Sequence, residues 1–258
     1  MRKSRRGALI LASVAALAVA GPALASQARF IHSLSAALIG RQGAFAGDAP
    51  NAGRALARLP LIEAPARKKG SAMVVFYSGD GGWAKAAAAI AGGLAEAGDP
   101  TVGIDSLRYF WAGRTPQAAA ADLAAVIAQY RTVWGRDQVV LAGYSFGADA
   151  LPVIWPQLPM ETRRQVRAVV LIGASASAEM VVRPRSWLDL KAKDAIPLRP
   201  LLARMGDVRT ACIYGASDKV SACPMLLPKA QLSTLQGGHH FNGDYHAVDE
   251  AVLKAAGL

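Results

Sequence analysis

The serine at position 145 lies in a sequence context that suits a catalytic nucleophile. The segment "LAGYSFGADA" (141–150) has the pattern G-x-S-x-G, and it follows an apolar run directly. A serine hydroxyl is a weak nucleophile until a base takes its proton, and the base needs an acid to orient it. Because the pattern is short, a serine in a tight turn is the alternative, and the decision rests on whether a base and an acid follow.

The base is expected among two adjacent histidines. The chain has four histidines, and His239 and His240 lie together in "GGHHFNGD", after the last apolar run. Adjacent residues of an extended segment point in opposite directions, so one of the two can face Ser145. We expect His239, which directly follows the glycine pair, with His240 as the alternative. His32 and His246 are expected to be structural.

The acid is expected at Asp218, which follows the apolar segment ending at Gly215. The chain order is then serine, aspartate, histidine, which is the order found in α/β-hydrolases. The alternative is that Asp218 is only a turn residue and that Asp244 or Asp189 is the acid.

A glycine-rich loop, "SGDGGW" (78–83), is the candidate for the oxyanion hole. Its glycines let the backbone approach a substrate closely, and it lacks the lysine of a phosphate-binding loop. We expect a backbone N–H of Gly79 or Asp80 to form one half of the hole. Phe146, at the start of the next helix, is expected to supply the other N–H. An ordinary glycine-rich turn is the alternative.

Apolar segments that alternate with helical patterns predict the elements that position these groups. The predicted strands cover 59–66, 72–79, 101–106, 138–145, 167–175, 209–217 and 230–238. The predicted helices cover 83–98, 115–134, a segment beginning at Phe146, and 247–256. The later strands are continuous apolar runs, so we expect an α/β fold with a mostly parallel sheet and helices on both faces. Functional groups then lie at the carboxyl ends of the strands.

The first 25 residues predict a secretory signal peptide, with a basic start, an apolar stretch over 7–20, and small residues at Ala23 and Ala25. An uncleaved anchor is the alternative, although the apolar stretch is short for a bilayer. We expect cleavage after Ala25 and a periplasmic location. A lead-in segment over 26–57 and a single catalytic domain over 58–258 then follow.

The charge of the chain favours an anionic surface as its partner. The net charge is +11, and it falls to +7 without the four basic residues of the signal peptide. The basic residues are scattered and have no interleaved aromatic residues, which argues against nucleic acid. We expect contact with an anionic phospholipid membrane surface, and solvated surface charge is the alternative.

Two cysteines, Cys212 and Cys223, predict a disulfide, because an even number of cysteines in an exported chain is typical of paired thiols. No metal site is predicted, since no cysteine or histidine has ligand spacing apart from the adjacent histidine pair. No cofactor-binding loop is predicted either.

Several motifs together resemble those of the bacterial virulence protein family of AcvB and VirJ. They are "SGDGGW", "GIDSLRYFW", "RTP", "YSFGADALP" and "GGHHFNGDY", in this order, and the resemblance covers about residues 58–256. It implies a periplasmic α/β-hydrolase that removes the aminoacyl group from aminoacylated phosphatidylglycerol, such as lysyl-phosphatidylglycerol. Ser145 matches the family's lipase serine, and Asp218 and the histidine pair match its acid and base. Asp80 and Asp149 also match family positions, but the resemblance itself implies no chemical role for them.

Acidic and aromatic residues near the predicted strand ends are candidates for substrate binding. A basic protein repels a lysyl head group unless acidic residues such as Asp80, Asp105 or Asp149 line the pocket. Tyr109, in "DSLRYFW", and Trp83, at the end of the glycine-rich loop, are candidate pocket walls, with a core position as the alternative. The tryptophan is followed by "AKAAAA", where family members often have acidic residues, which leaves the substrate preference open.

Two other functions stay open. Short members of the family are linked to type IV secretion and to binding exported proteins, so a secretion-associated binding protein with an idle triad is one. A general carboxylesterase that acts on soluble esters is the other.

Overall fold

The computed structural model describes residues 56–183 and 194–258. These residues form a mixed sheet that is covered by helices. The strands are β1 (Leu61–Ala64), β2 (Ala72–Tyr77), β3 (Thr101–Ile104), β4 (Gln138–Tyr144), β5 (Val166–Ile172), β6 (Ser177–Ala178), β7 (Ile196–Pro197), β8 (Arg209–Gly215) and β9 (Leu232–Leu235). The α-helices are α1 (Lys85–Ala97), α2 (Ser106–Phe110), α3 (Pro116–Trp134), α4 (Phe146–Ile154), α5 (Met160–Gln165), α6 (Arg199–Leu202), α7 (Cys223–Leu226) and α8 (Tyr245–Ala256). Short 3₁₀ helices cover Trp155–Gln157, Lys229–Gln231 and Phe241–Gly243.

The large sheet has the strand order β1-β3-β2-β4-β5-β8-β9. Its strands pair in parallel except for β1, which runs antiparallel to β3 at the edge. Strands β6 and β7 form a separate antiparallel pair. The mostly parallel sheet predicted from the apolar runs is therefore confirmed. Ser145 follows β4, which is the central strand of the seven.

Both faces of the sheet are buried, because successive side chains of a strand point to opposite faces. In β2, Met73 and Val75 pack into the core beneath α3 and α4, whereas Val74 and Phe76 pack into the core beneath α1 and α8. Covering a parallel sheet on both faces explains why its strands are continuous apolar runs.

The helix ends follow the local sequence signals. Gly98 ends α1 in the left-handed conformation, at φ 119°, and the Thr115 side chain accepts the N–H of Ala118 at the start of α3. The strand predicted over 101–106 is shorter, because Asp105 accepts the N–H of Arg108 and caps α2. A capping aspartate competes with strand pairing at this point.

The predicted signal peptide, most of the predicted lead-in segment, His32 and the alternative acid Asp189 lie outside the described residues. Leu56, at the end of the lead-in, packs into the core. Within 56–183 and 194–258, no helix has the length and apolarity to cross a membrane.

Candidate active site

Ser145 occupies the sharp turn between β4 and α4. Its φ of 53° and ψ of −117° are unusual for a residue with a side chain, and such strain concentrates at functional sites. Its backbone N–H donates to Ile172 O of the neighbouring strand at 2.8 Å, which fixes the turn to the sheet. The side chain is thereby presented at the carboxyl end of the central strand.

The two glycines of the G-x-S-x-G pattern are required by close backbone contacts. A Cβ atom at Gly143 would lie 2.4 Å from Gly147 O. A Cβ atom at Gly147 would lie 2.4 Å from Tyr77 O in β2. Neither position has room for a side chain. The two glycines are therefore required because α4 approaches the ends of β2 and β4 closely.

His239 lies between Ser145 and Asp218. Its Nε2 is 2.9 Å from Ser145 Oγ, and its Nδ1 is 2.8 Å from Asp218 Oδ2. The structure therefore brings together the three residues that were predicted as nucleophile, base and acid. The Asp218 side chain is 1% exposed and that of His239 is 23% exposed, so the acid is shielded while the base still reaches solvent water. His240, the alternative base, instead contacts Tyr144 through its ring.

Asp218 is held by the loop in which it lies. Its Oδ1 accepts the backbone N–H groups of Val220 at 2.9 Å and of Ser221 at 3.1 Å, which leaves Oδ2 for His239. The predicted disulfide between Cys212 and Cys223 is present and links β8, before this loop, to α7, after it. The other described candidate acid, Asp244, caps α8 by accepting the N–H of Ala247.

Two further glycines make room for the histidine, and the sequence reasoning missed both. Gly173, after β5, has φ 67°, and a Cβ atom there would lie 2.8 Å from His239 Cε1. Gly215, at the end of β8, would place a Cβ atom 2.2 Å from Gly238 O. The signal was available, because each glycine ends an apolar run in the repeated context "GAS".

The glycine-rich loop after β2 lies against the nucleophile. A Cβ atom at Gly79 would be 3.5 Å from Ser145 Cβ, so the backbone of this loop passes beside the serine. Phe146 directly follows Ser145 and begins α4, and the first N–H groups of a helix have no partner within the helix. The predicted sources of oxyanion-binding N–H groups are therefore both close to the serine.

Trp83 and Tyr109, the two candidate pocket walls, both make packing contacts. The Trp83 ring covers Gly103 of β3 and meets Phe76 edge-on, with ring centroids 6.1 Å apart. Tyr109 is buried, and its hydroxyl donates to Asp122 Oδ2 at 2.6 Å. Burial is the main cause that raises the pKa of Tyr109 above its usual range. Tyr109 therefore has a core position, whereas Trp83 is half-buried.

The structure likewise gives two predicted acidic pocket residues backbone partners. Asp105 caps α2, and Asp149 Oδ1 accepts the backbone N–H of Ser175 at 2.7 Å. Asp80 differs from both, because its carboxylate makes no hydrogen bond or ion pair with another described residue. Within 56–183 and 194–258, no group of three or more metal-ligating side chains is arranged to hold a metal ion.

Tyr144, the residue before the serine, contacts both histidines. Its hydroxyl oxygen lies 2.7 Å from His240 Nδ1 and 3.1 Å from His239 O. Burial is the main cause that raises the pKa of Tyr144 above its usual range, and Tyr245 and the negative charges of Asp218 and Asp80 add to it. The hydroxyl therefore stays protonated at neutral pH.

Residues 71–257 match the family model described as bacterial virulence protein (VirJ). No curated protein sequence matches the chain.

Solved structures with the same fold include several esterases. Est1E from Butyrivibrio proteoclasticus is 15% identical, with a TM-score of 0.53 over 77% of this chain and 94% of that one. The esterase domain of a Rhodothermus marinus protein is also 15% identical, with a TM-score of 0.53 over 77% and 92% of the two chains. A lipase-esterase related protein from Clostridium acetobutylicum is 16% identical, with a TM-score of 0.53 over 76% and 98%. At these identities the likeness shows a shared fold, the α/β-hydrolase fold.

Proposed function

The chain belongs to the bacterial virulence protein family VirJ, and from this premise we propose that it is a periplasmic serine ester hydrolase. Its proposed substrate is the aminoacyl ester of aminoacylated phosphatidylglycerol, such as lysyl-phosphatidylglycerol. The observation that carries the hydrolase chemistry is the line of contacts from Ser145 Oγ through His239 to Asp218, with distances of 2.9 and 2.8 Å. The strained serine turn and the adjacent glycine-rich loop support the same chemistry.

In the proposed mechanism, Ser145 Oγ attacks the ester carbonyl carbon while His239 Nε2 takes the hydroxyl proton. Asp218 stabilises the imidazolium that forms. The oxyanion accepts hydrogen bonds from backbone N–H groups near Gly79 or Asp80 and at Phe146. His239 then gives its proton to the glycerol oxygen, phosphatidylglycerol leaves, and an aminoacyl-enzyme remains. Water that His239 deprotonates attacks this ester and releases the free amino acid and the serine.

Two features support an aminoacyl lipid as substrate. The ester carries an α-ammonium group. Asp80 lies in the loop that contacts the serine, and its carboxylate has no hydrogen-bond or ion-pair partner among the described residues. The net charge of the predicted mature chain, +7, favours approach to an anionic phospholipid surface, where such esters lie.

The nucleophile is tested with Ser145→Ala. We expect the variant to fold as wild type and to lose aryl ester hydrolysis by several orders of magnitude, by analogy with knockouts of other triads. Ser71→Ala, an exposed serine before β2, is the matched control and should keep full activity. His239→Ala should lose as much activity as Ser145→Ala, whereas His240→Ala should lose much less. If Ser145→Ala hydrolyses aryl esters at the wild-type rate, Ser145 is not the nucleophile.

The substrate is tested with lysyl-phosphatidylglycerol vesicles and the purified protein. We expect release of lysine, with both acyl chains left on the lipid. Release of fatty acid would instead identify a phospholipase, and hydrolysis of soluble esters alone would identify a general carboxylesterase. A binding protein for secretion partners is favoured by two results together. The first is that neither the lipid nor any aryl ester is cleaved, and the second is that a Ser145→Ala gene restores the wild-type phenotype to a deletion strain.

A further inference from the structure

The base lies on a loop that the sheet supports weakly. His239 follows β9, a strand of four residues at the edge of the sheet. Gly237, Phe241 and Asn242 in this loop have positive φ angles, of 92°, 51° and 54°, so the loop is neither strand nor regular helix around the histidines. The 2.9 Å distance to Ser145 must therefore be maintained by specific contacts to the loop.

Tyr144 makes such a contact from the strand that carries the nucleophile. It is 5% exposed, it ends β4 next to Ser145, and its hydroxyl oxygen reaches His239 O at 3.1 Å and His240 Nδ1 at 2.7 Å. Its ring also faces the His239 ring, with centroids 5.5 Å apart and planes 30° apart. One side chain thus joins the nucleophile's strand to the main chain and the ring of the base.

The direction of the hydrogen bonds follows from counting protons. The Tyr144 hydroxyl has one proton, and His239 O can only accept. If Tyr144 donates to His239 O, it accepts from a proton on His240 Nδ1, and all three atoms are satisfied. If Tyr144 donates to His240 Nδ1 instead, His239 O loses this donor. The first arrangement is therefore favoured, and it assigns the proton of neutral His240 to Nδ1.

We propose that Tyr144 and His240 form a hydrogen-bonded strut, from His240 Nδ1–H to Tyr144 Oη and from Tyr144 O–H to His239 O, that positions the base. This inference rests on the proposed hydrolase function. It also gives the adjacent histidines different tasks, since His239 exchanges protons with Ser145 and His240 holds the loop. Tyr144 and His240 are positioning residues, because their polar atoms contact the base and not the reacting ester.

The strut is tested by the rate at which a fluorophosphonate probe modifies Ser145, because this reaction needs an activated serine and no particular acyl group. Tyr144→Phe removes the hydroxyl and keeps the ring, and we expect labelling to slow by about tenfold, the effect of one net hydrogen bond. The kcat for aryl esters should fall by the same factor with KM unchanged. Tyr130→Phe, which removes a buried hydroxyl that donates to Glu63 at 2.7 Å, is the matched control and should label at the wild-type rate.

The partner histidine supplies a rescue experiment. His240→Ala should slow labelling as much as Tyr144→Phe, and the double variant should be no slower than either, since both break one strut. His240→Asn places an amide N–H near the position of Nδ1 and should restore most of the rate. If His240→Asn is as slow as His240→Ala, or if Tyr144→Phe and His240→Ala label as wild type does, the strut is overturned. Because His240 is exposed, its variants decide the matter even if Tyr144→Phe fails to fold.

A measurement independent of activity separates the strut from the proposed function. Histidine ¹⁵N NMR of the wild-type protein should show neutral His240 protonated at Nδ1, and this preference should be lost in Tyr144→Phe. A proton on Nε2 in wild type would overturn the strut whatever the activity. Failure of wild type to react with the probe, together with the expected NMR result, would refute the hydrolase function and leave the strut as a structural contact.

Discussion

Asp80 stands apart from the other acidic residues near the serine. Asp105 and Asp149 use their carboxylates to hold backbone N–H groups, whereas Asp80 has no such partner among the described residues. If the proposed aminoacyl ester binds at Ser145, we expect a carboxylate on this loop to attract its α-ammonium group, which is close to the ester carbonyl.

Asp80→Asn should therefore change the choice between acyl groups. We expect kcat/KM for a lysyl aryl ester to fall roughly tenfold or more, the effect of losing one charge-assisted hydrogen bond, while kcat/KM for the acetyl ester stays within about twofold. The ratio of the two constants is the measurement. Asp137→Asn, which removes an exposed ion pair with Arg131, is the control, and an unchanged ratio in Asp80→Asn would exclude this role.

At the scale of elements, α1 contains two adjacent glycines in different surroundings. A Cβ atom at Gly92 would meet no atom within 4 Å, whereas one at Gly93 would lie 1.7 Å from Asp249 Oδ2 on α8. Gly93 therefore leaves the room that the Asp249 carboxyl occupies between α1 and α8, whereas Gly92 has no such contact.

The two positions should respond oppositely to alanine. Gly92→Ala should stabilise the fold by about 0.5–1 kcal/mol, because glycine is unfavourable in the middle of a helix. Gly93→Ala should destabilise it by about 1–3 kcal/mol through overpacking. Urea denaturation of both variants measures the difference, and equal stabilities would contradict the close contact with Asp249.

The elements themselves were predictable because their signals are local. Continuous apolar runs mark β4 and β5, and Gly98 and Thr115 mark helix ends at the positions that the structure confirms. The contacts of individual side chains were less predictable, since they depend on residues that are distant in the sequence. Tyr109 turns inward towards Asp122, on another helix.

The histidine pair shows the same limit at the site. The sequence supported the preference for His239 by its place after the glycine pair, but the room for its ring comes from Gly173, which follows a different strand, β5. The partner of His240, Tyr144, lies 96 residues away. Chain order and strand ends predicted which residues meet, while the contacts that fix each ring arise only in the folded chain.

For the whole molecule, Asp249 makes stability depend on pH. Its carboxyl is buried between α8 and α1, and Oδ1 has no hydrogen-bond partner. Burial, with additional repulsion from Glu96, Asp244 and Glu250, raises its pKa from 3.8 to about 8. The folded state thus binds a proton that the unfolded state releases, so this contribution to stability is present below about pH 4 and is lost as the pH rises through 8.

Asp249→Asn should remove this dependence, because the amide keeps the shape of the neutral acid and never ionises. We expect the variant to have a higher Tm than wild type at pH 8 and a similar Tm at pH 4, as measured by thermal denaturation across that range. Glu161→Gln, at an exposed position on α5, is the control. A Tm difference that does not grow with pH would show that Asp249 is ionised in the folded protein.

The disulfide between Cys212 and Cys223 closes the loop that carries Asp218, and loop closure of this size stabilises by roughly 2.5–3 kcal/mol. Reduction of the purified protein should therefore slow Ser145 labelling and lower Tm together, and labelling that is unaffected by reduction would contradict this dependence.

Thiols stay reduced in the cytosol and oxidise after export. On the predicted export route, a newly made chain would still have two reduced cysteines, and the loop that carries Asp218 would lack its covalent link. Oxidation after export would then close this loop, so we expect Ser145 to react faster in the oxidised chain than in the reduced one.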